Sequence, residues 1–263
     1  MHYNGIWGVK MSKSISRVAL AIISGQLLFA MGDLTYVTQT DITEPFLGPV
    51  AYVVLDSARY EPSIIGVSKA YREGISPREF IEMNENAVAL GSGFLESFYP
   101  LTPLGLLVIN NKTVNQLLTV GPRFVLYVNQ STIEVVHRDS VIYFTPEMNY
   151  AVQVGPMLVQ DGANVIFESE IKKKRHETRA FFGIDGDGNY VVGITETRVP
   201  LYFLAEWLSN STEDGGLNCK VALNFSGGSS ESLVVSNYGE IEMHGNYISK
   251  QASLLVFQKK LEE

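Results

Sequence analysis

The segment Ala222–Val235 gathers residue types that bind and transform small anions and sugars. Asn224, Ser226, Gly227, Gly228, Ser229, Ser230, Glu231 and Ser232 stand between two apolar runs. Adjacent glycines let a backbone approach a ligand closely, and the surrounding amides and hydroxyls can donate to an anion or a sugar. A solvent-exposed hairpin turn accounts for the same composition equally well, so spacing alone leaves both readings open. Asp185-Gly-Asp187-Gly-Asn189 offers oxygen ligands at alternate positions, with Glu196 at the twelfth, as a calcium loop wants. Its sixth position is Tyr190 where the sharp turn needs glycine, and both flanks alternate like strands, so the Asp-Gly dipeptides read as a hairpin turn. His2, His137, His176 and His244 have no metal-ligand spacing, and Cys219 is the single cysteine, so neither a metal nor a cofactor is expected. The charged run from Lys172 to Arg179 reads as a solvated strand edge or loop rather than an anion-binding cluster. Gly-x-Ser-x-Gly is absent, which leaves the hydrolase nucleophile elbow without support.

The elements that must position these groups are mostly strands. Val50–Leu55, Leu106–Ile109, Arg123–Val128, Thr132–Val136, Val141–Phe144, Asn164–Phe167, Tyr190–Thr195 and Leu254–Gln258 are rich in Val, Ile, Phe and Tyr and bounded by turn residues. Two helices are expected. Pro77–Asn84 has Ser76 as its cap, Pro77 at the first helical position and Glu79 completing a capping box. Pro200–Ser209 places Leu201, Leu204, Ala205 and Leu208 on one face. Many strands, few helices and no regular alternation of the two predict an α+β fold, with mixed, largely antiparallel sheets in a single domain. A length of 263 residues with 46% apolar side chains supplies a core without disulfide staples. The net charge of -8 gives no electrostatic reason to bind nucleic acid, which is excluded as an expected partner.

The amino terminus carries a location signal. Lys10, Lys13 and Arg17 precede an apolar run from Val18 to Met31, and Ala30 and Gly32 supply small residues after it. That order is the grammar of a secretory leader. The run is too short and broken for a confident membrane span, which needs about 20 apolar residues. Residues 1–32 are therefore assigned as a signal peptide or N-terminal anchor, expected to form a helix over Met11–Gly32, and residues 33–263 as the exported domain. A buried core helix is the competing reading. Any membrane association would run through this segment alone.

Beyond these physical readings, the chain resembles the phosphodiester glycosidase family, the uncovering-enzyme-like N-acetylglucosamine-1-phosphodiester α-N-acetylglucosaminidase domain. Ala222–Val235 resembles its A-L-N-L-D-G-G-G-S-S-T signature. Ala87–Leu95 resembles its A-V-x-N-G-G-F-F block, and Pro103-Leu-Gly105 its P-x-G segment. Gly155–Gly162 is similar to G-P-x-L-V-x-D-G, and Arg179–Asp185 with Asp187-Gly188 to R-T-A-I-G-I-D-x-D-G. The family hydrolyses the bond between a sugar and phosphate in a sugar-1-phosphodiester. The resemblance implies Arg179 as a phosphate clamp, because a planar guanidinium grips two phosphate oxygens. It implies that Gly227, Gly228 and Ser230 cradle the substrate, that Asn224 and Ser226 order the loop or contact it, and that Gly93 and Phe94 line the opposite wall. Asp56 and Asp185 are further contributors, with turn roles as alternatives.

The departures concern chemistry. Ser226 stands where the family has the loop aspartate, Ser229 replaces a glycine, Glu231 a serine, Gly91 the asparagine and Ser92 a glycine. Glycosidic cleavage wants a carboxylate, and Glu231 is the replacement candidate, with Arg179 expected to hold its pKa down. Asn224–Ser232, Gly91–Phe94 and Arg179 are expected in one cleft. Three functional classes follow: an exported hydrolase acting on a sugar-1-phosphodiester of an envelope glycan or glycolipid; a non-catalytic relative that binds glycan or sugar phosphate; and a structural envelope protein.

Overall fold

The structure, a computed structural model, describes residues 19–23, 26–31, 34–39, 49–67, 73–143, 147–172, 176–237 and 239–260. His2, the basic residues Lys10, Lys13 and Arg17, the proposed Gly32–Asp33 boundary and residues 173–175 of the charged run lie outside them.

Valine-, isoleucine- and aromatic-rich runs form the strands, because branched and flat side chains pack well on a pleated surface. The largest sheet has nine strands in the order Ala19–Ile23, Gln26–Met31, Leu34–Gln39, Val50–Leu55, Tyr190–Thr195, Arg179–Asp185, Cys219–Gly227, Met157–Gln160 and Ala163–Asn164. A five-stranded sheet runs Lys112–Asn115, Leu107–Ile109, Tyr150–Val154, Phe124–Asn129 and Thr132–His137. A second runs Glu240–Gly245, Ser232–Asn237, Ala87–Ser92, Ser253–Lys259 and Tyr60–Gly66, and Phe94–Phe98 pairs with Leu101–Leu104 as a separate hairpin. The expectation of mixed sheets is corrected: every described strand pairing is antiparallel. The fold is largely β, with three short helices among the described residues.

One core joins the three large sheets. Val53, Phe182, Val192 and Phe225 of the nine-stranded sheet meet Leu126 and Val152 of one smaller sheet and Leu90, Val235 and Phe257 of the other. The opposite face of the large sheet is covered by α3 (Leu201–Ser209), whose Leu204, Trp207 and Leu208 pack on Tyr52, Phe181 and Val191. Trp207 stands edge-on to both Tyr52 and Phe181. Helix α1 (Pro77–Met83) covers the outer face of the last sheet through Phe80 and Ile81. Its capping box forms as read: the Ser76 hydroxyl accepts from the Glu79 N–H, and the Glu79 carboxylate accepts from the Ser76 N–H.

Three local expectations change. Val141–Phe144 was expected as a strand, but Arg138–Tyr143 forms helix α2. Of Asn164–Phe167 only Asn164 lies in a strand, the short Ala163–Asn164, before the chain turns into a 3-10 segment at Glu168–Lys172. Within Met11–Gly32, Ala19–Ile23 and Gln26–Met31 are strands in register with one another instead of a helix. The third strand, Leu34–Gln39, pairs onward with Val50–Leu55. Short apolar runs do not separate strand from helix by periodicity, and here sheet pairing decides.

Candidate functional site

The Arg179–Asp185 and Cys219–Gly227 strands are neighbours, and their register sets Arg179 opposite Gly227. The pairing skips Phe225, a bulge next to the glycine loop, where such features commonly re-aim a strand end. Gly227 has a steric reason to lack a side chain: a Cβ there would lie 2.4 Å from Arg179 Nη1. The guanidinium therefore lies over the glycine backbone. Thr178 and Gly228 lock the loop reciprocally: the Gly228 N–H donates to the Thr178 carbonyl at 3.2 Å, and the Thr178 hydroxyl donates to the Gly228 carbonyl. The same hydroxyl lies 3.0 Å from Glu231 Oε2, so its one proton is shared between the two acceptors.

Glu231 is the chemical centre of this arrangement. It is 4% exposed, and its carboxyl is pushed up to about 7 by burial. Its own backbone N–H, the Thr178 and Ser226 hydroxyls and the Arg179 charge oppose that rise without cancelling it. The expectation that Arg179 depresses Glu231 is thus corrected: desolvation outweighs the cation. Arg179 is itself partly buried, and loss of water lowers its pKa while Glu177, Glu231 and Glu170 raise it.

Several buried polar atoms here have no hydrogen-bond partner among the described residues: Arg179 Nε, Glu231 Oε1, Asn224 Oδ1 and Ser232 Oγ. Such orphans are few in native proteins, and four of them lie in or beside one loop. Among the described residues Oε1 accepts no hydrogen bond, although the Ser226 hydroxyl and the Glu231 N–H both act to lower the Glu231 pKa.

Glu231 lines a cavity of about 480 Å³ with Thr178, Thr195, Glu196, Gly228 and Asn246. Glu196 reaches His244, whose Nδ1 lies 2.7 Å from its Oε1. Burial lowers the His244 pKa, so the ring is neutral near pH 7 and Nδ1–H donates to the carboxylate. This Glu–His pair was not singled out as functional in the sequence. Its members are 48 residues apart, Glu196 drew notice only as a calcium position, and no local spacing marks them.

The remaining candidates fall into place around this centre. A Cβ on Gly91 would lie 3.0 Å from Ser232 Oγ, so that block does reach the glycine loop. Gly93, with φ +77°, sits against Ser253 and Val152, and Phe94 lines a different cavity of about 400 Å³ with Arg123, Phe124, Gly155 and Pro156. The single cleft expected for all these residues is divided into separate cavities. Asn224 ties the Phe94 side to the loop, because its amide donates to the Gly155 carbonyl at 3.2 Å. Ser226 is buried on the strand, and Ser230 lies in the loop with its carbonyl held by the Gln251 amide at 2.7 Å.

Asp185 and Asp56 are turn residues. Asp185 Oδ1 accepts from the N–H groups of Asp187 and Asn189, both at 2.9 Å, and Asp56 Oδ1 from Ala58 at 2.8 Å. The hairpin reading of Asp185–Asn189 therefore holds. No cluster of three or more His, Cys, Asp or Glu able to hold a metal occurs among the described residues. No helix among them is long and apolar enough to cross a membrane.

Known proteins share this fold at low sequence identity. The zebrafish N-acetylglucosamine-1-phosphodiester alpha-N-acetylglucosaminidase catalytic domain, in a form auto-inhibited by its pro-peptide, shares the fold at a TM-score of 0.58 and 15% identity, over 88% of this chain and 83% of that one. A hypothetical protein from Synechocystis gives 0.57 at 13% identity, over 86% of this chain and 62% of that one. A putative exported protein from Burkholderia pseudomallei gives 0.51 at 11%, over 82% and 75%. No curated protein sequence matches significantly. The phosphodiester glycosidase family model matches residues 77–256, more than half the chain, from the capped helix through the glycine loop to the last core strand. The chain belongs to the phosphodiester glycosidase family.

Proposed function

We propose that the protein hydrolyses the glycosidic bond of a sugar-1-phosphodiester, with Glu231 as proton donor and Arg179 as phosphate clamp. The observation that carries this reading is Glu231, a buried carboxyl raised to about 7, facing a cavity of about 480 Å³ beside Arg179. A proton donor at neutral pH needs such a raised value. An anionic phosphate beside it favours the protonated form further, since like charges repel. As the bond from C1 to the bridging oxygen breaks, that oxygen takes the Glu231 proton and leaves as part of a phosphate monoester. Until that proton has arrived, negative charge builds on the departing oxygen, and the Arg179 guanidinium over Gly227 stabilises that charge more than it stabilises the intact diester. Water adds to C1 and loses its proton to Glu196, which His244 orients. The products are a free sugar and the phosphate monoester.

The test uses a methyl sugar-1-phosphodiester panel with the full chain. Wild type is expected to release reducing sugar and methyl phosphate, with the rate falling as pH rises past about 7. Glu231→Gln is expected to lose on the order of 10²-fold or more. Phosphate remaining on the sugar would sink the assignment of the broken bond. Binding without turnover would instead support the glycan- or sugar-phosphate-binding relative, a reading favoured by Ser226 standing in for the family's loop aspartate.

An exported location belongs to the same proposal. Lys10, Lys13 and Arg17 precede the apolar run, and a protein of similar fold is described as a putative exported protein. Mass spectrometry of the amino terminus in cell fractions tests it, and an intact terminus confined to the cytosol would refute it.

A further inference from the structure

The cavity of about 400 Å³ beside Phe94 shares no lining residue with the Glu231 cavity, and the hydrolytic reading does not use it. Its volume falls within the range of small-molecule sites, about 300–1,000 Å³. Phe94 and Leu104, cross-strand partners at one end of their hairpin, line it together with Pro122, Phe124 and Pro156. Arg123 is the one ionisable residue in this lining. It is solvent-exposed, and its guanidinium has no hydrogen bond or ion pair among the described residues. The surrounding backbone is held in place, and its carbonyls are already engaged. Fully buried Gln153 donates through its amide to the Pro122 carbonyl at 2.7 Å. Arg138 Nη1 donates to the Gly121 carbonyl at 3.4 Å, and the Arg138 N–H to the Arg123 carbonyl at 2.7 Å. On the other side the Asn224 N–H donates to the Pro156 carbonyl at 3.0 Å, and the Asn224 amide holds the Gly155 carbonyl.

From this arrangement we infer a binding site for a single-chain alkyl anion, with its chain in the cavity and its acidic head on Arg123. The inference is independent of the hydrolytic reading and requires no bond to break. Seating a chain among Phe94, Leu104 and Phe124 removes apolar surface of both partners from water. Each methylene fully buried in this way tightens binding about four-fold. A sugar is disfavoured, because the carbonyls that would meet its hydroxyls already accept hydrogen bonds, and buried hydroxyls left unpaired are costly. A small inorganic anion is disfavoured as well, since one exposed arginine holds a partner only weakly. Chain and charge are both needed, and the cavity supplies a place for each. A planar guanidinium suits a carboxylate and a phosphate alike, so a fatty acid and an alkyl phosphate share the chemistry the site selects.

The test is calorimetry of the full chain with hexanoate, octanoate, octyl phosphate and octyl glucoside, each kept below its micelle-forming concentration. Octanoate should bind wild type at least about five-fold more tightly than hexanoate, as two further buried methylenes require. It should also exceed octyl glucoside, whose head is neutral, by at least about five-fold. Arg123 is exposed, so Arg123→Gln should leave the melting temperature unchanged. That variant should weaken octanoate at least about five-fold and leave octyl glucoside as it was. Leu104→Ser makes one wall polar and should weaken both octyl ligands; if it does not fold, Arg123→Gln still decides. The tighter of octanoate and octyl phosphate identifies the preferred head as carboxylate or phosphate. No binding to wild type, affinity independent of chain length, or equal octanoate binding by wild type and Arg123→Gln overturns the site. None of these outcomes bears on the hydrolytic reading, which turns on Glu231.

Discussion

Replacing Glu231 by glutamine should make the protein more stable as the pH rises, even as it removes the proposed proton donor. In the folded state burial holds the carboxyl at about 7, against 4.5 when free. Between these values the unfolded chain has released a proton that the folded chain keeps, so stability falls as pH rises. The glutamate's contribution is therefore complete below 4.5, shrinks across the window and reaches its minimum above about 7. Each pH unit of such a window is worth about 1.36 kcal/mol, so the whole effect is on the order of 3 kcal/mol. Glutamine fits the space and can accept from the Thr178 hydroxyl, but it does not titrate.

The assay is urea unfolding of wild type and Glu231→Gln from pH 4.5 to 8. The variant's stability relative to wild type should grow across the window by about 3 kcal/mol and then level off. For a chain of this size that corresponds to a melting-temperature gap widening by roughly 6–12 °C. The change with pH, not the offset at any single pH, is the diagnostic, because a difference in packing would not titrate. A flat difference would refute the desolvated carboxyl. A difference that shrinks with rising pH would mean that Arg179 wins after all.

Other substitutions probe the scaffold around this group. Ser76→Ala removes the cap of α1 and should cost about 1 kcal/mol, read as a lower urea midpoint with unchanged activity. Gln153→Met should cost more than 3 kcal/mol by the same measurement, since each buried polar group left unpaired costs about 1–3 kcal/mol. The Gln153 amide accepts from the Leu106 and Leu118 N–H groups and donates to the Leu118 and Pro122 carbonyls. Gly227→Ala and Gly245→Ala should part company. The first meets the movable end of Arg179 and should reduce turnover with little change in melting temperature. The second combines φ +68° with a Cβ 2.2 Å from the Glu231 carbonyl, and should destabilise the fold measurably by thermal unfolding.

What the sequence disclosed and what it withheld divide along a physical line. The capping box at Ser76 and Glu79 and the Asp185–Asn189 hairpin are local, and their residue types force one backbone geometry at short range. Helix α2 was hidden because Val141, Ile142 and Tyr143 are residues that strands favour; their helical state is a tertiary outcome that propensity does not carry. The glycine loop was visible as a composition, yet its neighbours were not. Glu196 and His244 meet only because separate strands end side by side. Glu231 shows the limit most clearly. From sequence, a nearby arginine is a visible charge while burial is invisible, so the carboxyl was expected to be acidic. Folding withdraws water from both groups, and the cost of holding a charge there exceeds the attraction between them. The same burial that leaves Arg179 Nε and Glu231 Oε1 without hydrogen-bond partners also gives Glu231 the pKa a proton donor needs. A site that solvated these atoms fully would be more stable, and would have returned Glu231 to an ordinary carboxylate.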